Sequence, residues 1–271
     1  MNDNAYFEVM ECPVYAQRTD AGNFMDMFKP AATHKALIRK DNNEVLGIHS
    51  KAYKKLDNGI AYPLVEEAIR ESGLAWDGMS VKTEMDGGGR RTLRTYTFPE
   101  HRIEIAEGDV TNLQIRVPNS YDGSWAFGIM LGGYRLVCSN GLVVGTSLAR
   151  VKRKHTVNLD IHELVAQLQQ AAKMYAGNEQ LWRTWARTTI TDNQAETILK
   201  ELAGTSERGF QELQLSWWHE RALTGSTAWS LYQVLTAWST HTQARKNHAT
   251  GLIQREERVR RILPQLEELA A

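Results

Sequence analysis

The chain is poor in cysteine: Cys12 and Cys138 are the only two in 271 residues. Two thiols cannot build a disulfide framework or a structural zinc site, and a reducing, cytoplasmic setting is expected. Long apolar runs are missing as well, so no membrane-spanning helix is expected. The opening MNDNAYFEVMECP has no basic stretch followed by an apolar one, and no signal peptide is expected there. Net charge is zero, with 32 Lys and Arg against 32 Asp and Glu. No global field therefore draws the chain to nucleic acid or to a membrane, and any such attraction must come from a local patch.

Catalytic signatures are also lacking. Gly87-Gly88-Gly89-Arg90-Arg91 has no Lys-Ser or Lys-Thr after its glycines and runs into a strand pattern rather than a helix. It reads as a hairpin loop and not as a phosphate cradle, although two arginines at its tip could touch a nucleic-acid backbone. The pairs His155/His162 and His241/His248 do not have the spacing that places two metal ligands on adjacent helical turns. No nucleophile elbow accompanies Asp122. An enzyme would have to be assembled from Asn119, Asp122, Asn140 and His155, and the expectation is no catalytic centre, no metal and no cofactor. Internal repeats and low-complexity tracts are absent.

What is present is an ordinary globular composition, 42% hydrophobic and 24% charged, with enough length for a sizeable core. Residues 1–34, broken by Pro13 and Pro30, read as a loosely packed arm. Two strands flank Asp41-Asn42-Asn43, a turn-forming trio. Leu64, Val65, Ala68 and Ile69 mark one face of a short helix, with Pro63 in its first turn and Gly73 at its end. From Met79 to Val144 the apolar period is two: Val81–Met85, Arg91–Phe98, His101–Ala106, Asn112–Val117, Trp125–Met130, Tyr134–Cys138 and Leu142–Gly145. Asn140-Gly141 suits a two-residue hairpin turn, and Cys138 reads as a small buried residue.

From Asp160 the period is helical. Asp160 and Glu163 have capping-box spacing, and Ile161, Leu164, Val165, Leu168, Ala171, Ala172 and Tyr175 form one face. Further helices are expected at about 191–203, 206–223 and 226–248, with a last one from about 250 that Pro264 kinks or interrupts. The fold class is α+β: an antiparallel sheet with an amphipathic helix over 35–157, then an all-α region over 158–271 that packs on or extends it. The late tryptophans, Trp182, Trp185, Trp217, Trp218, Trp229 and Trp238, read as core or subunit interface rather than base-stacking platforms.

One charge feature stands out. Between Gly123 and Leu159 there is no acidic residue, while Arg135, Arg150, Lys152, Arg153 and Lys154 supply five positive charges, with His155 beside them. Such a run is most simply a solvated face, yet it is also what tracking a phosphate backbone requires.

Several short elements, taken in order, resemble a known family. They are Leu46-Gly47-Ile48-His49-Ser50-Lys51-Ala52-Tyr53, Gly88 to Arg91, Asn119 to Ser124, Arg135 to Asn140, and Lys154-His155-Thr156. This order is similar to that of the phage/plasmid-like family catalogued as domain of unknown function 932, over roughly residues 35–175. Tyr121 departs from the pattern, since relatives often carry His there, which weakens a metal-ligand or general-base role. The resemblance implies mobile-element origin and no assigned reaction; a remoter architectural analogy is to single-strand annealing proteins, which form rings or filaments. The expected function is therefore single-stranded nucleic-acid binding, with annealing or recombination as its use. Arg90, Arg91, Arg135, Arg150, Lys152, Arg153, Lys154 and His155 would meet phosphates, Tyr121 or Trp125 would stack on bases, and the protein would form homo-oligomers. The rival expectation is a protein-interaction module, a host-defence antagonist or replication accessory protein, anchored through Trp229 and its helical neighbours.

Overall fold

The computed structural model describes residues 5–17, 28–135, 141–143, 161–242 and 248–271. The fold is α+β, with two antiparallel sheets followed by a helical region. The first sheet has the order β1–β2–β3, from β1 (Val9–Gln17), β2 (Phe28–Arg39) and β3 (Val45–Ser50). Much of residues 1–34 is thus strand and not an irregular arm. Pro13 is accommodated because the register shifts between Pro13 and Tyr15, where a missing amide hydrogen matters least. The β2–β3 turn is the expected one: Asn43 has φ 58°, and the Glu44 N–H donates to Asn42 Oδ1 at 3.0 Å.

Helix α1 (Asn58–Glu71) begins before the position that Pro63 suggested, and Gly73 follows its end with φ 76°. The second sheet is β4 (Ser80–Asp86), β5 (Arg91–Ala106), β6 (Asp109–Ser120), β7 (Met130–Arg135) and β8 (Gly141–Val143), hydrogen-bonded in that order. Pro99-Glu100 does not separate two strands. β5 runs through as 16 residues, and the irregularity is taken up as a register shift between Phe98 and Arg102. Trp125–Met130 is a connection rather than a strand up to Met130, because side chains at Ser120 and Asp122 bond the local backbone. Gly141 pairs with Tyr134 in the ladder, which takes it out of the centre of a two-residue turn. Cys138 and Asn140 lie outside the described residues.

Five helices follow among the described residues: α2 (Ile161–Arg187), α3 (Asp192–Ala203), α4 (Glu207–Thr224), α5 (Ala228–His241) and α6 (His248–Leu269). Thr191 and Gln194 form a reciprocal capping box on α3, and Ser206 and Thr227 cap α4 and α5. α6 continues through Pro264.

One face of the second sheet presents Tyr96, Phe98, Leu113, Ile115 and Val117, all fully buried. They pack with Tyr62, Val65 and Ile69 of α1 and Leu168 and Tyr175 of α2. The same cluster runs on through Trp182, Trp185, Trp217, Trp229, Leu231 and Leu263, so sheet and helices share one core. Burying each large apolar side chain contributes roughly 1.5–3 kcal/mol, which makes this cluster the main source of stability. The opposite face meets α6: Leu93 packs on Ala249, Leu252 and Ile253. Arg116 is buried there and ion-paired with Glu256. Burial pushes its guanidinium down to about 10, still charged at neutral pH.

Trp229 is a core residue whose Nε1 donates to Asp109 Oδ2 at 2.8 Å. It therefore cannot anchor a partner without unpacking the core. Among the late tryptophans, Trp218 is the exposed one, at 44%. No helix among the described residues is long and apolar enough to cross a membrane.

Candidate functional site

Residues from three of the five sequence motifs come together where the two sheets meet. β3 supplies Leu46, Gly47 and His49, the chain after it supplies Tyr53, the turn into β5 supplies Gly88 to Arg91, and the end of β6 supplies Asn119 to Asp122. Leu46, Val9, Leu37 and Tyr121 form a small buried cluster at this joint, with Phe7 and Tyr53 packed against it. Arg39 reaches across, donating from Nη1 to the Gly88 carbonyl at 2.9 Å while its guanidinium lies over the Phe7 ring.

The polar groups at the joint satisfy one another. His49 Nε2 donates to the Tyr121 carbonyl at 2.7 Å, and its ring stacks on Tyr53 at 3.9 Å. The bond to a carbonyl fixes the proton on Nε2. Tyr53 donates to the Ser120 carbonyl at 3.3 Å. Buried Asn58 is the hub: its Oδ1 accepts from Asn119 Nδ2 at 2.8 Å and from Thr92 Oγ1 at 3.2 Å. Its Nδ2 donates to the Ala5 carbonyl at 2.9 Å, and its backbone N–H donates to the Tyr121 hydroxyl at 3.0 Å. Burial raises the Tyr121 and Tyr62 phenols and pushes Tyr53 up to about 12, so all three stay protonated at neutral pH.

Close approach explains the motif glycines. A Cβ on Gly47 would lie 2.7 Å from the Tyr121 carbonyl oxygen and 2.6 Å from His49 Nε2. Gly89, at φ 104°, would place one 2.7 Å from the Phe7 ring.

The expected phosphate and base contacts divide into three groups. Arg90 is exposed at the loop before β5, with Nε donating to the Val45 carbonyl at 3.2 Å and Nη2 lying 3.7 Å from Glu44 Oε1. Arg91 donates from Nε to Asp122 Oδ2 at 2.8 Å and Ser124 Oγ at 2.9 Å, and from Nη1 to Thr250 Oγ1 at 3.0 Å. Trp125 is half-buried against the Leu93 cluster. Arg91 and Trp125 serve internal packing in this structure, whereas the Arg90 side chain stays exposed.

Two others are corrected outright. Tyr121 is 1% exposed and offers no ring face to a base. Arg135 is 3% exposed and grips Asp109 with both arms, Nε to Oδ1 at 2.5 Å and Nη2 to Oδ2 at 2.7 Å. Its Nη1 also donates to Glu220 at 3.3 Å, so its charge is compensated inside the protein. Arg150, Lys152, Arg153, Lys154 and His155 lie outside the described residues.

Of the four polar residues that an enzyme would need, Asn119 and Asp122 are both at the joint, already hydrogen-bonded to Asn58 and Arg91. Asn140 and His155 are outside the described residues. Among the described residues no three His, Cys, Asp or Glu gather as a metal site. Asn58 and Thr92 have no signal of their own in the sequence; the motif order is the available one, because three separate motifs end in this one place.

A family model described as Domain of unknown function (DUF932) matches residues 45–263, from the start of β3 to within α6. No curated protein and no solved structure matches the chain.

Proposed function

The chain belongs to the Domain of unknown function (DUF932) family, and from that premise we propose that it binds single-stranded nucleic acid through the segment Arg150 to His155. One observation carries this reading: the acid-free stretch from Gly123 to Leu159, which holds Arg150, Lys152, Arg153 and Lys154. The burial of Arg135 against Asp109 narrows the reading, since it removes one cation from the patch and leaves these four to meet phosphates. The segment joins β8, the edge strand of the second sheet, to α2. Phosphate contact there is sequence-independent, which suits a protein that holds unpaired strands in the DNA metabolism of a phage or plasmid, in the cytoplasm, for annealing or recombination.

The test is a fluorescence-anisotropy titration of a labelled single-stranded oligonucleotide across a salt series. Four neutralised phosphates on a single strand give a slope of log K against log salt of about −3. Replacing Lys152, Arg153 and Lys154 together by alanine should bring that slope to about −0.7, since one arginine remains. Binding that ignores salt, or no binding at low salt, overturns the reading.

A further inference from the structure

Among the described residues the two sheets have four edge strands, β1, β3, β4 and β8. An open edge invites a further strand, and proteins blunt such edges with proline, bulges, short length or charge. β1 carries Pro13 and a register shift, β3 has a register shift against β2, and β8 is three residues long. β4 has none of these devices. Its seven residues, Ser80-Val81-Lys82-Thr83-Glu84-Met85-Asp86, contain no proline or glycine and pair with β5 in one unbroken register. Ser80, Val81 and Lys82 are exposed, Val81 at 39%. The remaining device is charge, and in charge this strand is its own complement.

Side chains along β4 alternate between the two faces of the sheet. Arg94 Nη1 donates to Thr83 Oγ1 at 3.0 Å, so Val81, Thr83 and Met85 stand on the face that carries Arg94. Lys82 and Glu84 stand on the other, where Glu84 acts on Arg116. Within one copy Lys82 Nζ lies 3.2 Å from Glu84 Oε1. Asp86 is held by the Thr250 amide at 2.7 Å, which leaves Val81 to Met85 as the stretch that can meet a new neighbour.

Two copies of an edge strand related by a twofold axis perpendicular to the sheet run antiparallel and keep their faces in common. Their register therefore moves only in steps of two residues. The register that overlaps the whole of β4 is centred on Thr83. It sets Lys82 opposite Glu84 of the second copy and Val81 opposite Met85. One step in either direction sets Lys82 on Lys82 or Glu84 on Glu84. Full overlap and opposite charge thus select the same register.

We propose that β4 pairs with β4 of a second copy, centred on Thr83, and so joins the second sheets of the two copies into one. The contact uses the same patch on both copies and closes as a dimer. Main-chain hydrogen bonds supply the attraction, and the charged and apolar cross-strand pairs fix the register. A contact of this size gives a weak, concentration-dependent dimer. None of these residues belongs to the basic segment, and the proposal holds or fails without nucleic acid.

Sedimentation velocity and amide hydrogen exchange of the full chain alone test it. The wild type should pass from monomer to dimer as concentration rises, and exchange in β4 should slow with it while exchange in β1 does not. Lys82→Glu changes an exposed side chain and should weaken dimerisation about a hundredfold, roughly tenfold for each of the two pairs turned from opposite to like charge. Glu84→Lys should be monomeric for the same reason. Mixed in equal amounts, the two variants should form a dimer with one copy of each, because every pair across the strands is then opposite in charge. If Glu84→Lys loses its far-ultraviolet dichroism through its position beside Arg116, Lys82→Glu and the exchange measurement still decide. A wild type that stays monomeric at its highest soluble concentration overturns the proposal. So does a dimer with unchanged β4 exchange, a Lys82→Glu protein that dimerises like the wild type, or a mixture of two folded variants that stays monomeric.

Discussion

β6 of the second sheet is buried along nearly its whole length, whereas β2 of the first sheet is exposed over most of its first half. The pairing chemistry is the same in both, since every strand pair among the described residues is antiparallel. The difference lies in what covers the strands. α1 and α2 lie on one face of β5 and β6 and α6 reaches the other, while the first sheet has a buried cluster of Val9, Leu37, Leu46 and Tyr121 where it meets the second. Local stability follows buried contact and protected hydrogen bonds. The second sheet and the helices should therefore open only with the whole molecule, and the first sheet should open at lower cost, about the joint.

The largest predicted effect tests the well-covered region. Arg135→Ala leaves Asp109 buried with Trp229 Nε1 as its remaining strong donor. Removing one partner of a buried, bidentate ion pair costs about 3–5 kcal/mol. Urea denaturation should show that loss with an unchanged slope, and the molecules still folded should bind an oligonucleotide as the wild type does. A stable Arg135→Ala protein with weakened binding would place Arg135 on the nucleic-acid surface and break the contrast between buried and exposed cations.

That residue also shows where sequence reading stops. Most strands of the second sheet and the helices are legible in the sequence because each carries its own period, though β5 reads there as two strands and Trp125–Met130 as a further one; the caps at Thr191 and Ser206 are local. Arg135 reads as a surface cation in the sequence because its partners, Asp109 and Glu220, lie 26 and 85 residues away and nothing local announces them. Tyr121 reads as an accessible ring for a related cause. Its cover comes from Val9, Leu37 and Leu46, and β1 was hidden behind Pro13 and a register shift. The joint was half legible. Its motifs stood in the sequence in order, but the fact that they meet depends on the placement of the first sheet. Buried polar partners and sheet-to-sheet contacts are long-range, and periodicity carries no information about them.

A middle-sized effect tests the joint. Gly47→Ala brings a methyl group against the Tyr121 backbone carbonyl, which cannot swing aside as a side chain would. Overpacking of this kind costs typically 1–3 kcal/mol. It should also lengthen the His49–Tyr121 hydrogen bond, and amide hydrogen exchange should rise in β1, β2 and β3 well above any rise in β5 and β6. Equal acceleration in both sheets would mean that the joint is part of the main core and not a seam.

The smallest effect sharpens the comparison most. Asn43 holds the β2–β3 turn in the left-handed region, where Asn is tolerated and a residue with an ordinary side chain is not. Asn43→Ala should cost about 1 kcal/mol, and the cost belongs wholly to the first sheet. If that sheet opens by itself, the penalty shifts only the local equilibrium: β2 and β3 amides exchange about fivefold faster, since about 1 kcal/mol is a factor of about five. The global urea midpoint should move little, because a molecule whose first sheet is already open has no turn left to lose. If the midpoint instead falls by the full amount while exchange in β5 and β6 accelerates equally, the two sheets unfold as one cooperative unit. The exposure of β2 would then reflect a surface waiting for a partner and not a weakly held element, which is the distinction that burial alone does not make.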